Sequence, residues 1–463
     1  MEFPVELESH IKEFNKKLLQ EEDVLVVSHH DADGITSCAI TVDLLRNREI
    51  NTEYKCIKQL DSVTIGEIEE YGSRTLVFTD MGSGQLPLLA EHNMKDFYVI
   101  DHHPPAEKYS LQVNPHDFGY DGGSEVSGAG MAYFVAKTAQ HMDMAHLAVV
   151  GAVGDMQDSD GELKSLNRIL LQDGENQGTI LVEKDLRMFG RQSRSLIQML
   201  AYSSEPILPE ITGSQQAAAQ FIENAGIDLK DNGNYRNYVE LDRGEREKLA
   251  SAIYMHLLDY NMPEYIIQSM VGEVYTLAKE EFKSELRDAK EYATVLNACG
   301  RQEKSELGVE VCLGDRGVGW HKAKNMLESH RRNLREGIEF LREQGTTEMK
   351  NFYYFDGGDK IKESIIGVIA GMAYGARIIP PDKPVLAFAQ DRDDEDMLKV
   401  SGRANKALLR RGIHLGEALR ETSKLFGGEG GGHDIAAGAR FPKQRQDEFL
   451  QKIDEKFAKQ LGK

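Results

Sequence analysis

The chain has 463 residues, 40% of them hydrophobic and 28% charged, with a formal net charge of −21. That length exceeds what one core usually serves, so two or three domains are expected. The acidic balance argues against a protein that coats nucleic acid non-specifically, but not against an enzyme that admits one strand to a local basic groove. The opening "MEFPVELESHIKEFNKKLLQ" carries acids and no long apolar run. No stretch approaches the roughly 18 apolar residues that span a bilayer, so a soluble, cytoplasmic protein is predicted. Four dispersed cysteines, Cys38, Cys56, Cys299 and Cys312, form no CxxC pair and read as small buried hydrophobes in a reducing compartment.

Residues 6–20 place charged and apolar positions at helical spacing and predict a surface helix. "DVLVVSH" (23–29) reads as a buried strand and "GITSCAITVDLLRN" (34–47) as the helix after it. "TEYKCIKQL" (52–60), "RTLVFTDMG" (74–82) and "DFYVIDHH" (96–103) are further strand candidates, the last two ending in acids or histidines. Such alternation predicts an α/β domain with a mainly parallel sheet, whose ligands gather at the carboxyl ends of the strands. "MAYFVAKTAQ" and "HLAVVGAVGDMQD" (146–158) look like more buried elements. Over 161–300, amphipathic patterns such as "EREKLASAIYMHLLDY" and "EEFKSELRDAKEYATVLNA" predict a mainly helical insertion, followed by a helical, locally basic linker over 301–350. Strand-like runs return in "NFYYFDGG", "PVLAFAQDRDD" and "DMLKVSGRA". The glycine-rich "FGGEGGGHDIAAGARF" (426–441) reads as a loop leading into a helix-like AAGA segment. The expected domains are therefore 1–160, 161–300, 301–350 and 351–463.

Four polar clusters fall at strand or strand-like ends: His29-His30-Asp31-Ala32-Asp33-Gly34, Asp80, Asp101-His102-His103, and Asp155. Taken singly, each reads as a helix cap or a hydrogen-bonded core histidine. Four on one sheet edge converge on one small volume, where bare carboxylates would repel one another and protonate. Divalent cations relieve that conflict. Carboxylate and imidazole without thiolate suit a hard ion, Mn²⁺ or Mg²⁺, and the histidines tilt the choice toward Mn²⁺. The donors suffice for two ions, and a pair about 4 Å apart clamps a phosphoryl group and activates a water.

"HHDADG", "TDMG", "DHH" and "GDMQD", in that order, resemble the four motifs of the DHH phosphoesterase superfamily, and "GGEGGGHDIAAGA" resembles the signature of its DHHA1 domain. The resemblance implies a mainly parallel-sheet DHH domain, a helical insertion and a smaller α/β DHHA1 domain, with the active site in the cleft between the DHH and DHHA1 domains. By position it implies His29, Asp31, Asp33, Asp80, His102 and Asp155 as ligands of two divalent ions, with Asp80 or Asp155 between the ions. The doubled histidine leaves His29 against His30 open, although the spacing favours His29. Asp101 would orient His102 from behind, and His103 would assist the leaving oxygen beside Asp33 and Asp80. Gly430, Gly431, Gly432 and His433 would cradle phosphate, with Ser401 and Arg403 of "SGRA" as further contacts. Lys406, Arg410 and Arg411 extend that basic run or line a solvated helix face.

"YSSEPILPEITG" (202–213) and "LNACGR" (296–301) resemble archaeal RecJ-like proteins, including the GINS-associated nuclease group. This implies an exonuclease that degrades single-stranded DNA, or RNA, to mononucleotides in replication or repair, in the 5′→3′ direction usual for the family. The insertion becomes a candidate docking surface for the GINS complex, or a plain helical elaboration. Two rivals stay open: a phosphoesterase for short oligoribonucleotides or a nucleotide phosphate, and a helicase-associated scaffold. Trp320 in "VGWHKAKN" is a core residue or a base-stacking platform.

Overall fold

The structure, a computed structural model, describes residues 2–462 except 73, 95, 204–205, 376–377 and 393, with the backbone alone at 265, 375 and 406. The chain divides into two compact units, Met1–Leu327 and Glu328–Lys463, and the boundary falls inside the helix Val318–Gln344.

The first unit is organised by five strands: β1 (Asp23–His29), β2 (Asn51–Ile57), β3 (Thr75–Thr79), β4 (Tyr98–Ile100) and β5 (Gln112–Val113). They lie in the order β2-β1-β3-β4-β5 and all pair in parallel. Because side chains alternate across a strand, Val24 and Val26 of β1 join one core while Leu25 and Val27 join another. The first core is closed by α1 (Val5–Leu18), α2 (Ala32–Asn47), α5 (Gly128–Thr138) and α6 (Ala145–Gly154), the second by α3 (Ser62–Glu69) and α4 (Leu86–Glu91). A sheet covered on both faces reads as continuous apolar runs, which is why "VLVV" and "LVF" carry no polar alternation. The strand order reverses direction between β1 and β3, the switch point where such sheets take ligands.

The central region is mainly helical, as expected, and adds strands that the sequence did not announce: a seven-residue antiparallel pair, β6 (Ile180–Leu186) with β9 (Val271–Leu277), and the short hairpin of β7 (Lys230–Asp231) and β8 (Asn234–Tyr235). Between β6 and β9, the helices around Leu196–Ala201, Gln215–Asn224 and Arg243–Asp259 enclose a core of their own. Trp320 is half-buried against the main core of the first unit, with Lys324 over its ring.

The second unit holds a six-stranded sheet of β10 (Thr347–Glu348), β11 (Tyr353–Asp356), β12 (Val385–Gln390), β13 (Met397–Arg403), β14 (Glu429–Gly432) and β15 (Ala436–Pro442). Its order is β10-β11-β12-β13-β15-β14, and only β11 and β12 pair in parallel. Two sequence expectations change here. The glycine run is an edge strand rather than a loop, and AAGA lies in β15 rather than in a helix. Small residues lack strand propensity of their own, but pairing on both sides, to β13 and to β14, holds β15 extended. Three of the four cysteines are buried and Cys56 is half-buried, all as free thiols. Among the described residues no helix is long and apolar enough to cross a membrane.

Candidate active site

The strand ends and adjoining helix termini of the first unit bring six of the expected residues into two neighbouring groups. His29, Asp31 and Asp80 form one, Asp33, His102 and Asp155 the other, each with its donor atoms within 4.8 Å of one another. Asp80 joins them, since its Oδ2 lies 3.6 Å from His29 Nδ1 and its Oδ1 lies 3.1 Å from His102 Nε2.

Each side chain is placed by a local device. His29 ends β1, and Asp31 caps α2 by accepting from the Gly34 N–H at 3.0 Å while lying 3.1 Å from His29 Nδ1. Asp33, in the first turn of α2, accepts from the backbone N–H groups of Gly128 at 2.7 Å and Ala129 at 3.0 Å, so a carboxylate meets the positive end of α5. Asp80 follows β3 with φ +55°, a left-handed conformation that aspartate tolerates better than most residues. Its carboxylate tucks beneath the start of α5, where a Cβ on Gly128 would stand 2.7 Å from Oδ1, so only glycine fits there. Asp155 caps the C-terminus of α6 and is not at a strand end, contrary to the sequence expectation.

His102 donates from Nδ1 to the Gly122 carbonyl at 2.7 Å, which turns the lone pair of Nε2 toward Asp80 and Asp33, 3.1 and 3.6 Å away. Asp80 Oδ1 is buried, and what faces it is His102 Nε2 at 3.1 Å. A lone pair and two carboxylate oxygens facing one another call for a positive charge between them, and an imidazole fixed through its other nitrogen is the form in which histidine ligates metals. The donor set thus fits divalent cations.

The protonation equilibria show the same conflict. Burial, then the charge of Asp80, holds Asp33 well above the usual carboxylate range. Burial also raises Asp155 to about 6. Burial alone would lower His102, yet Asp80, Asp33 and Asp155 outweigh it and raise it, and Asp31 and Asp80 do the same for His29. His30 behaves in the opposite way. Burial and the His29 charge push it down to about 4, its carbonyl accepts from Ser305 Oγ at 3.0 Å, and it belongs to neither group.

Asp101 serves a different histidine from the one expected. Its Oδ1 accepts from His103 Nδ1 at 2.8 Å and from the His102 backbone N–H at 2.7 Å, and its Oδ2 from the Ser83 N–H at 3.0 Å. The His102 ring is held by Gly122 instead. Burial would raise Asp101, but the His103 imidazole outweighs it and brings it to about 2, while Asp101 raises the half-exposed His103. Sequence reasoning missed Gly122, Gly128 and Gln157. The Gln157 amide donates to Asp155 Oδ2 at 2.9 Å and to the Gly122 carbonyl at 2.8 Å, and its oxygen accepts from Asn167 at 2.7 Å. One side chain so ties Asp155 to the carbonyl that holds His102. Gln157 stands inside "GDMQD", but nothing in its spacing distinguishes it.

In the second unit, Ser401 pairs with Gly438, which pairs with Gly431, and Arg403 pairs with Ala436, whose carbonyl accepts from the His433 N–H at 2.9 Å. Ser401 and Arg403 on β13 and Gly430–432 on β14, with His433 just beyond it, thus flank β15 from either side. Arg403 lies along the helix Glu363–Gly375, where a Cβ on Gly367 would stand 2.6 Å from Nη2. Arg410 and Arg411 are exposed, and the side chain of Lys406 lies outside the described residues.

A parallel α/β sheet gathers acids and imidazoles at its switch point into a donor set that fits divalent cations. Three family models match: the DHH family N-terminal domain over residues 23–152, the DHH-CID domain over 188–271, and the DHHA1 domain over 352–459. The chain belongs to the DHH phosphoesterase superfamily. It is 31% identical, over its whole length and 99% of the relative, to an uncharacterized protein of Methanocaldococcus jannaschii. Its fold is similar to that of CDC45 from Entamoeba histolytica, at 12% identity and a TM-score of 0.66 over 98% of each chain. It is also similar to RecJ in complex with Mn²⁺ from Thermus thermophilus, at 18% identity and a TM-score of 0.59. That match covers 98% of this chain and 55% of RecJ, so the chain spans about half the length of that protein.

Proposed function

We propose that the chain is a metal-dependent exonuclease that degrades single-stranded DNA, with RNA as a second substrate, to mononucleotides in the 5′→3′ direction during DNA replication or repair. The observation that carries this is the buried Asp80 carboxylate, facing His29 and His102 between two groups of acids and imidazoles. His29, Asp31 and Asp80 would hold one divalent cation and Asp33, His102 and Asp155 the other, with Mn²⁺ preferred over Mg²⁺ by the imidazole content. When bound, such cations supply Lewis acidity to a phosphodiester and lower the pKa of the attacking water. The protein's own part is orientation and proton transfer. His103, half-exposed and held by Asp101, is positioned to hydrogen-bond or protonate the departing oxygen. Arg403 and Ser401 offer charge-assisted and neutral hydrogen bonds to backbone phosphates, and the edge strand β14 offers backbone N–H groups without side-chain obstruction.

The test uses DNA and RNA strands labelled at either end, with Mn²⁺ and Mg²⁺ in parallel. Mononucleotides released from the 5′ end are the expected product. Intact long strands with hydrolysed dinucleotides would favour the small-substrate phosphoesterase, and no hydrolysis of any phosphoester would favour the scaffold.

One observation favours docking to the GINS complex as well. On the helix Arg243–Asp259, Leu249, Ile253 and Leu257 face the insertion's core while Tyr254, Met255 and Leu258 are exposed on another face. Polar replacement of those three should abolish GINS pull-down and leave hydrolysis intact, and unchanged capture would remove the docking role.

A further inference from the structure

In the group of Asp33, His102 and Asp155, one member is far less enclosed than the others. The side chains of Asp33 and His102 are 3% and 6% exposed, whereas that of Asp155 is 35% exposed. Asp155 ends α6, and the chain turns directly after it at Met156, whose φ is +60°. The Met156 N–H donates to the Val153 carbonyl at 3.1 Å and the Gln157 N–H to the Ala152 carbonyl at 3.0 Å. Helices that stop with this pair of bonds usually carry glycine at the turn, so a methionine is held there against its own backbone preference. Gln157 draws the Asp155 carboxylate inward, but Gln157 belongs to the same turn. A half-exposed ligand on such a turn stays in place only if the turn is gripped from outside.

The grip comes from the two roots of the insertion. Arg187 follows β6, and its backbone N–H donates to the carbonyl of Met270, the residue before β9, at 2.8 Å. Its Nη2 donates to the Asp158 carbonyl at 2.7 Å and also to the Asp158 carboxylate. Both side chains are nearly buried, so the pair is little screened. From the other root, the Glu273 N–H donates to the Gly161 carbonyl at 2.8 Å, and the Tyr275 hydroxyl accepts from the Leu163 N–H at 2.8 Å. A Cβ on Gly272 would stand 2.4 Å from the Gly161 carbonyl oxygen and 2.8 Å from Arg187 Cδ, so root and loop meet with no room for a side chain. Of these contacts, the one made by Arg187 falls nearest to the ligand. Asp158 adjoins Gln157, and Gln157 holds both Asp155 and the Gly122 carbonyl that orients His102. A guanidinium bound to the carbonyl and the carboxylate of one residue fixes its backbone and side chain together.

We propose that Arg187 is a positioning residue of the metal centre. Through Asp158 and Gln157 it sets the placement of Asp155, and with it the affinity for the divalent cation of the Asp33, His102 and Asp155 group. This role presupposes a cation on that group, as proposed above. The root of the insertion, unlike the stretch beyond it, then belongs to the frame of the metal centre.

The experiment titrates the full chain with Mn²⁺ by calorimetry and follows the thermal midpoint of the metal-free protein. Arg187→Lys keeps the charge but offers a point charge in place of the fork, and Arg187→Gln with Asp158→Asn removes both charges together, so that neither stays buried alone. The control is Arg236→Gln, which breaks a nearly buried pair inside the insertion, where Arg236 donates to the Glu245 carboxylate at 2.6 and 2.7 Å. In the double variant, one of two Mn²⁺ equivalents should bind about tenfold more weakly while the other is unchanged. Arg187→Lys should lose less than that, and Arg236→Gln should bind both equivalents as the wild type does. Should the double variant not fold, a selective weakening of one equivalent in Arg187→Lys carries the same test. Unchanged affinities in the Arg187 variants overturn the role, and so does a weakening that Arg236→Gln reproduces at a similar fall in thermal midpoint. A wild type that binds no Mn²⁺ overturns the metal reading together with this role, whereas a wild type and Arg187 variants that all bind two equivalents alike overturn this role alone.

Discussion

The metal-fitting pocket of the first unit and the phosphate-fitting strands of the second are built on opposite terms. In the pocket, Asp33, Asp80 and His102 are almost wholly buried, held by N–H donors, a carbonyl and the wall of Gly128 before any ligand arrives. On the strands, Ser401, Arg403 and Gly430–432 are half-exposed or exposed, and His433 stands open to solvent. The difference follows from the ligand. A small cation needs its donors pre-set within fractions of an ångström and gains from low dielectric, whereas a nucleic-acid backbone arrives as a long, flexible anion that surface groups can follow.

Substitutions in the pocket should have the largest effect and also divide it. Asp80→Asn and Asp33→Ala should each lower strand hydrolysis by about 1,000-fold or more, since both remove charge that would hold a cation. Their effects on metal-free stability should differ. Asp80→Asn removes the charge that raises Asp33 but also the carboxylate that pairs with His29 and His102, so the thermal midpoint should change little. Asp33→Ala strands the Gly128 and Ala129 N–H groups, at about 1–3 kcal/mol each, so the midpoint should fall. Equal shifts in calorimetry would break the account of how the pocket is held.

Gln157→Ala should weaken Mn²⁺ binding by about 10- to 100-fold through the loosening of Asp155, and Gln157→Glu should not restore it, because no amide then donates to Asp155 and Gly122. Calorimetric titration of the metal reads this directly. Arg403→Lys is expected to cost about tenfold in kcat/KM, mostly in KM, since a point charge replaces a fork while the pocket is untouched.

The smallest effect tests burial without a cation. Glu291, fully buried, accepts from the Gln192 and Ser193 N–H groups at 2.9 and 3.2 Å, and burial followed by the charge of Asp288 raises it to about 7. Its ordinary value is 4.5, so between these values the folded chain holds a proton that the unfolded chain releases. The stability this provides is complete below pH about 4.5 and lost as pH rises through about 7. Glu291→Gln offers one acceptor to two N–H groups and should lose stability at pH 5, but its deficit should shrink from pH 5 to pH 8, by on the order of 1–3 kcal/mol in denaturant unfolding.

What was legible in the sequence had a local cause. "DVLVVSH" and "RTLVFTD" announce buried strands because both faces of the sheet are covered, and the acids after them announce a ligand edge. Contributions that depend on distant neighbours were not legible. Gly128 matters because Asp80 happens to lie beneath it, and Gln157 because Gly122 and Asn167 come within its reach. Asp155 ends a helix because "AVVGAV" suits a buried helix as well as a buried strand. β6 and β9 were masked by charged residues among their apolar positions, and β15 by small residues whose extension comes from its neighbours.

The pairing of Leu186 with Val271 has a consequence of its own. Within the first unit, the polypeptide leaves the β6–β9 pair and returns to it at two residues that are already strand partners, and the stretch between them has a core of its own. An excursion anchored this way is a cassette: its length and content can be exchanged, by natural drift or by grafting, for the modest entropy of closing a loop, with the sheet that carries Asp33 and Asp80 left as it was.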